Sequence, residues 1–117
     1  MREALELVEK AMRLNPYYPA RYLFTLGFAY CTMERYEEAM AALKRALTRS
    51  PDHYGIHIVL AIIYSEVGRE KEAHAHVSEA LRINPQLSIE VLRQIISFKD
   101  TAILERMGDN LRRAGLK

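Results

Sequence analysis

Cysteine is nearly absent from this chain of 117 residues, and neither sign of charge dominates it. Each scarcity excludes something. A lone Cys31 rules out an intramolecular disulfide, which suits a reducing cytosol and gives a cytoplasmic expectation. A net charge of +2, with both signs mixed along the chain, leaves no electrostatic footprint for nucleic acid. The longest uncharged apolar run, Ile56 to Ser65, is interrupted by His57 and is about half of what a membrane span requires. No N-terminal segment combines a basic start, an apolar middle and a small-residue cleavage site. No stretch alternates in the way a half-buried strand does. Glycine-rich phosphate loops, nucleophile elbows and dinucleotide fingerprints are missing too, so no enzyme, cofactor or small-molecule substrate is expected.

What the chain does have is helical periodicity and an internal echo. Leu23, Leu26, Gly27, Tyr30, Ala39, Leu43, Ala46 and Pro51 recur as His57, Leu60, Ala61, Tyr64, Ala73, Val77, Ala80 and Pro85, each 34 residues later. A period of that size with two helices per unit marks a helical repeat array. Breakers cut the chain into seven helical segments at 2–14, 20–33, 35–49, 54–67, 69–83, 88–97 and 100–114. Asn15, Ser50 and Asn84 each precede a proline, which pushes them out of the helical region. Gly115 is placed to cap the last helix in a left-handed conformation, with Leu116 folding back on the final turn. Ala4, Val8, Ala11 and Pro16 match Ala39, Leu43, Ala46 and Pro51 with a shift of 35. The expected organisation is a single all-α domain of about seven antiparallel helices. It comprises a half repeat (1–16), two full repeats (20–53 and 54–87) and a degenerate capping repeat (88–117).

These residues resemble the tetratricopeptide repeat (TPR), a helix-turn-helix unit that builds solenoids. Small residues at Gly27, Ala61, Ala39, Ala73, Ala46 and Ala80 sit where two helices approach closely. Two positions depart from the family pattern: Leu23 and His57 replace a large aromatic, and Glu34 stands where a turn glycine is usual. If Glu34 is left-handed, it costs about 1–2 kcal/mol. The tail, with Ser97-Phe98-Lys99-Asp100, Leu104-Glu105-Arg106 and Leu111 to Leu116, also resembles the end of bacterial TPR arrays that close class III adenylate or guanylate cyclases. That likeness implies a regulatory or docking segment of a larger signalling protein, without the catalytic domain.

The TPR resemblance implies a protein-interaction module whose first helices line a concave groove. By register the groove residues are Arg21, Phe24, Phe28 and Cys31, then Gly55, Ile58, Ile62 and Ser65, then Ile89, Leu92 and Ile96. Arg21, Phe24, Phe28, Ile58, Ile62, Leu92 and Ile96 are the expected partner contacts. Arrays that clamp a C-terminal carboxylate carry Lys, Asn and Arg at such places, whereas this groove is apolar. The expected partner is therefore an apolar or amphipathic protein segment, or a second copy of the chain. The segment 54–67 is hydrophobic around nearly its whole circumference, which calls for cover from several sides. Either the C-terminal helix or a partner provides it. Leu5 and Leu7 add apolar surface to the first helix, pointing to a piece of a longer protein or a self-associating chain.

Metal binding is not expected. His74 and His76 are two apart on a helix and point to different faces, and no Cys, Asp or Glu completes a set with His53 and His57. Cys31 has no histidine placed to activate it. Arg112, Arg113 and Lys117 read as a solvated helix end facing the negative pole of the dipole, and the histidines as solvated surface groups apart from a partly buried His57.

Overall fold

The computed structural model describes residues 2–15, 19–95 and 101–117, among which there are seven α-helices and no strand. Two compact units divide them. The first, Met1–Asp52, holds α1 (Arg2–Leu14), α2 (Ala20–Thr32) and α3 (Tyr36–Arg49). The second, His53–Lys117, holds α4 (Tyr54–Glu66), α5 (Glu70–Ile83), α6 (Ile89–Ile95) and α7 (Thr101–Arg113). The all-α, helix-turn-helix repeat fold expected from the echo is observed, and the first five helices start and stop within one residue of expectation. The expected stop at Ser97 falls outside the described residues, as do Pro16, Tyr17 and Tyr18.

In the first unit, small residues set the distance between helices. Ala39, Ala42, Leu43 and Ala46 of α3 are buried, as are Leu23, Leu26, Gly27 and Ala29 of α2. A Cβ added at Gly27 would lie 2.5 Å from Leu43 Cγ and 3.3 Å from the Ala39 carbonyl oxygen. Only glycine allows this approach with Leu43 in place. α1 joins from the other side, packing Val8 and Met12 against the Leu26, Ala29 and Ala42 cluster. The Tyr30 hydroxyl donates to Glu9 Oε1 at 3.0 Å, and burial together with that carboxylate raises the phenol's pKa above its ordinary value.

The turns repeat as faithfully as the helices. After α2, the Arg35 N–H donates to the Tyr30 carbonyl (2.9 Å) and the Glu34 N–H to the Cys31 carbonyl (3.1 Å). After α4, Arg69 bonds Tyr64 (2.7 Å) and Gly68 bonds Ser65 (3.2 Å) in the same way. After α7, Leu116 bonds Leu111 (2.9 Å) and Gly115 bonds Arg112 (3.1 Å). All three are Schellman caps, which require a left-handed residue. Gly68 and Gly115 supply it at φ 82° and 101°, and Glu34 adopts φ 62° despite its side chain. The strain expected of Glu34 is therefore present. The α2–α3 and α4–α5 turns then each carry an arginine over the preceding tyrosine, Arg35 on Tyr30 (4.9 Å) and Arg69 on Tyr64 (5.0 Å). The same arginines pair with Glu38 and Glu72 in the first turn of the next helix.

In the second unit, α4 is buried from Ile56 through Ser65. A helix apolar on every side needs neighbours on several, and α4 has α5 and α7 packed against it. α6 is short and also meets α7. Its start is capped by Ser88, whose Oγ accepts the Val91 N–H at 3.1 Å. The Ile89 N–H donates to the Lys117 carbonyl at 2.9 Å, tying the C-terminus to that start.

Candidate protein-docking site

α2 presents Arg21, Phe24, Phe28 and Cys31 on one face, because spacings of three and four return a side chain to the same side of a helix. Leu26 lies on the opposite side and is buried, as are Leu23 and Gly27 at the flank. Arg21 is exposed, Phe24 and Phe28 are half-buried, and Cys31 is buried. The two phenylalanine rings sit 6.3 Å apart at a tilt of 36°, a favourable aromatic geometry. Arg21 leans over the Tyr22 ring at 5.4 Å. This face therefore joins accessible aromatic surface to one cation.

The matching stripe of α4 is different. Ile58 and Ile62 are each 3% exposed and Ser65 is 5% exposed. α7 crosses α4 at the C-terminal end of this stripe and fixes itself there by polar contacts. Arg106 holds Glu66 with both nitrogens, Nε to Oε1 at 2.5 Å and Nη2 to Oε2 at 2.9 Å. Asn110, 1% exposed, donates from Nδ2 to Glu66 Oε1 at 2.9 Å and accepts from Ser65 Oγ at 3.2 Å. Arg113 donates to Asn110 Oδ1 and, at 3.4 Å, to Ser65 Oγ. The Arg106 guanidinium beside Glu66, outweighing the effect of partial burial, holds its carboxyl below the usual carboxylate range.

The expected contact residues thus divide into three groups. Arg21, Phe24 and Phe28 lie together with accessible surface on α2. Ile58 and Ile62 of α4 and Leu92 of α6 are buried, so they offer no open surface in the folded chain. Ile96 lies outside the described residues. The C-terminal helix, the first of the two covers considered for the apolar segment, rests on α4. Arg112 and Arg113 are exposed in the last turn of α7, as expected; Arg112 pairs with Asp109 at 3.0 Å, and Arg113 also joins the α4–α7 contact.

Two constellations escaped the sequence. One is the Ser65–Glu66–Asn110 network. Its signal was present, since Asn110 shares the side of α7 that buries Met107, Leu111 and Ala114, and a buried amide demands partners. The other is His57 with His76. Their Nδ1 atoms are 3.0 Å apart across α4 and α5, and the His76 ring stacks on Tyr64 at 5.4 Å and 10°. His76 is thus no solvated surface group. Spacing within one helix could not reveal it, because the pair forms between two helices. Among the described residues, no three His, Cys, Asp or Glu side chains converge to hold a metal ion, and no helix is long and apolar enough to cross a membrane.

Comparison with known proteins places this architecture. The family described as tetratricopeptide repeat matches residues 32–93, more than half of the chain. The chain is 30% identical over 88 residues to anaphase-promoting complex subunit 3 of Schizosaccharomyces pombe, a match covering 74% of this chain and 13% of that protein. It is 30% identical over 88 residues to protein bimA of Emericella nidulans, covering 74% of this chain and 11% of that one. The match thus spans only a small part of either relative. Both are fungal, so the bacterial cyclase arrays that the tail resembles gain no support from them.

Proposed function

We propose a docking function on a plain premise: this chain belongs to the tetratricopeptide repeat family. The family and the relatives support a protein-interaction module. One relative carries a complex and a subunit number in its name, which fits a part played in an assembly. Catalysis by this chain has no place in the reading.

More finely, the partner is an apolar or amphipathic protein segment, and it docks on the α2 face of Arg21, Phe24 and Phe28. The observation that supports this is the half-buried Phe24–Phe28 pair with the exposed Arg21 beside it. Aromatic side chains next to a cation are favoured anchors at interfaces. Ile58, Ile62 and Leu92 then act as the packed floor of their own unit instead of as contacts. A partner that covers what remains exposed of the two rings gains about 1–2 kcal/mol from each.

Phe28→Asp, made in the full chain and checked for unchanged helicity, tests this. Co-purification from cells of the source organism should lose a defined set of proteins, with affinity falling about tenfold or more. An unchanged set of partners would sink the α2 proposal. Sedimentation of the same variant identifies a second copy as the occupant if the wild type alone forms dimers.

A further inference from the structure

We propose that His57 and His76 form a chelating seat for one divalent transition-metal ion, held between α4 and α5. Each ring gives its Nδ1 atom to the ion, and water fills the remaining positions. The repeat fold itself asks for no imidazole at either place. In the first repeat the equivalent positions carry Leu23 and Ala42, and both are buried. In the second repeat both positions carry a nitrogen donor, and the two donors meet each other across the helix pair.

The geometry suits an ion. The two Nδ1 atoms are 3.0 Å apart. Two imidazole nitrogens on a tetrahedral zinc ion, each bonded at about 2.0–2.1 Å, lie about 3.3–3.4 Å from each other. The pair therefore opens by only about 0.3–0.4 Å to take an ion in place of the hydrogen between its rings. The rings are also held in position. His57 is 5% exposed, and His76 stacks on Tyr64 with an interplanar angle of 10°. His76 is half-buried, which leaves the ion a way in from solvent.

In the neutral metal-free pair one Nδ1 carries a hydrogen and the other accepts it. When the ion binds, the donor ring gives that hydrogen to water from Nδ1 and takes one from water at Nε2. Both rings stay neutral, and both Nδ1 lone pairs reach the metal. Charge favours a cation as well. Arg82, bonded to the Glu79 carboxylate one turn beyond His76, holds that carboxyl below the usual range, and the two histidines add to the effect. An anion thus stands within electrostatic reach of the seat. Imidazole donors select zinc, nickel or copper over magnesium and calcium.

Thermal unfolding of the full chain with zinc, nickel or magnesium chloride, followed by circular dichroism, tests the seat. An ion that binds only the folded chain raises the midpoint. Zinc or nickel at about 1 mM should raise it by about 3 °C or more, with reversal by EDTA, and magnesium should leave it unchanged. His57→Phe, which restores the large aromatic of the repeat pattern, and His76→Gln should each abolish the rise at wild-type helicity. His76→Gln, on the half-buried ring, decides the matter should His57→Phe unfold. His53→Gln and His74→Gln, outside the pair, should keep the full rise. Cobalt should show the visible absorption of a coordinated ion in the wild type and in neither pair variant, a readout that stability alone does not move. Any of three results overturns the proposal: no rise with zinc or nickel in the wild type, a rise kept in folded His57→Phe or His76→Gln, or a rise lost in His53→Gln or His74→Gln.

Discussion

The two repeats solve one packing problem with different volumes, and a double-mutant cycle can expose the trade. In the first repeat glycine faces leucine, Gly27 against Leu43; at the equivalent positions of the second, alanine and valine stand, Ala61 and Val77. Gly27→Ala alone gains about 1 kcal/mol of helix propensity. It also places a Cβ 2.5 Å from Leu43 Cγ, an atom close to the backbone of a side chain that is 0% exposed, so it cannot swing away. Such overpacking costs about 1–3 kcal/mol, leaving a net loss of about 0–2 kcal/mol. Leu43→Val alone removes one methylene from a filled site and costs about 1 kcal/mol. Together they recreate the second repeat's pair. The Cδ2 contact at 2.7 Å disappears and the shorter valine leaves room for its γ carbons to shift, the propensity gain offsets the lost methylene, and the double variant should lie within about 1 kcal/mol of the wild type. The coupling energy is then about 1–3 kcal/mol in the favourable direction. Urea unfolding of the four proteins, with unchanged m values, measures it. If the two substitutions add within about 0.5 kcal/mol, the account of the close approach is wrong.

The turns give a second prediction. A Cβ at Gly68 meets nothing within 4 Å, so Gly68→Ala tests the φ of 82° alone and should cost about 1 kcal/mol; Glu34→Gly should gain a similar amount. Equal urea midpoints for both variants and the wild type would remove the strain argument. Asn110→Ala removes the amide's bonds to Ser65 and Glu66 and should cost about 1–3 kcal/mol, with faster hydrogen exchange in α7 amides; unchanged exchange would show that the network does not hold the helix. Acid should loosen the same contact. Because Arg106 holds the Glu66 carboxyl below its ordinary 4.5, the stability it contributes is complete above that value and is lost as pH falls through the lower folded value. Glu66→Gln should flatten the acid dependence of α7 protection, and an identical pH profile in this variant would refute the assignment.

The sequence by itself determined the helices and the turns, because those are local. A proline after Asn15, Ser50 or Asn84 ends a helix wherever the rest of the chain goes, and Gly68 and Gly115 announce left-handed caps by their identity. The 34-residue echo then settled the pairing of α2 with α3 and of α4 with α5, since small residues recurring in register can only be explained by close helix contacts. Register could not decide which apolar residues remain accessible. Phe28 and Ile62 hold the same place in the repeat, yet one is half-buried and the other is buried. What covers a residue depends on a neighbour that carries no repeat signature at that position. α7 meets α4 through Arg106, Asn110 and Arg113, residues 40 or more positions away from Ser65 and Glu66 in the chain. The His57–His76 pair was hidden for the same reason: each histidine is unremarkable on its own helix and acquires a partner only when two helices are laid side by side. Periodicity records how a helix is oriented, and only tertiary packing decides what it faces.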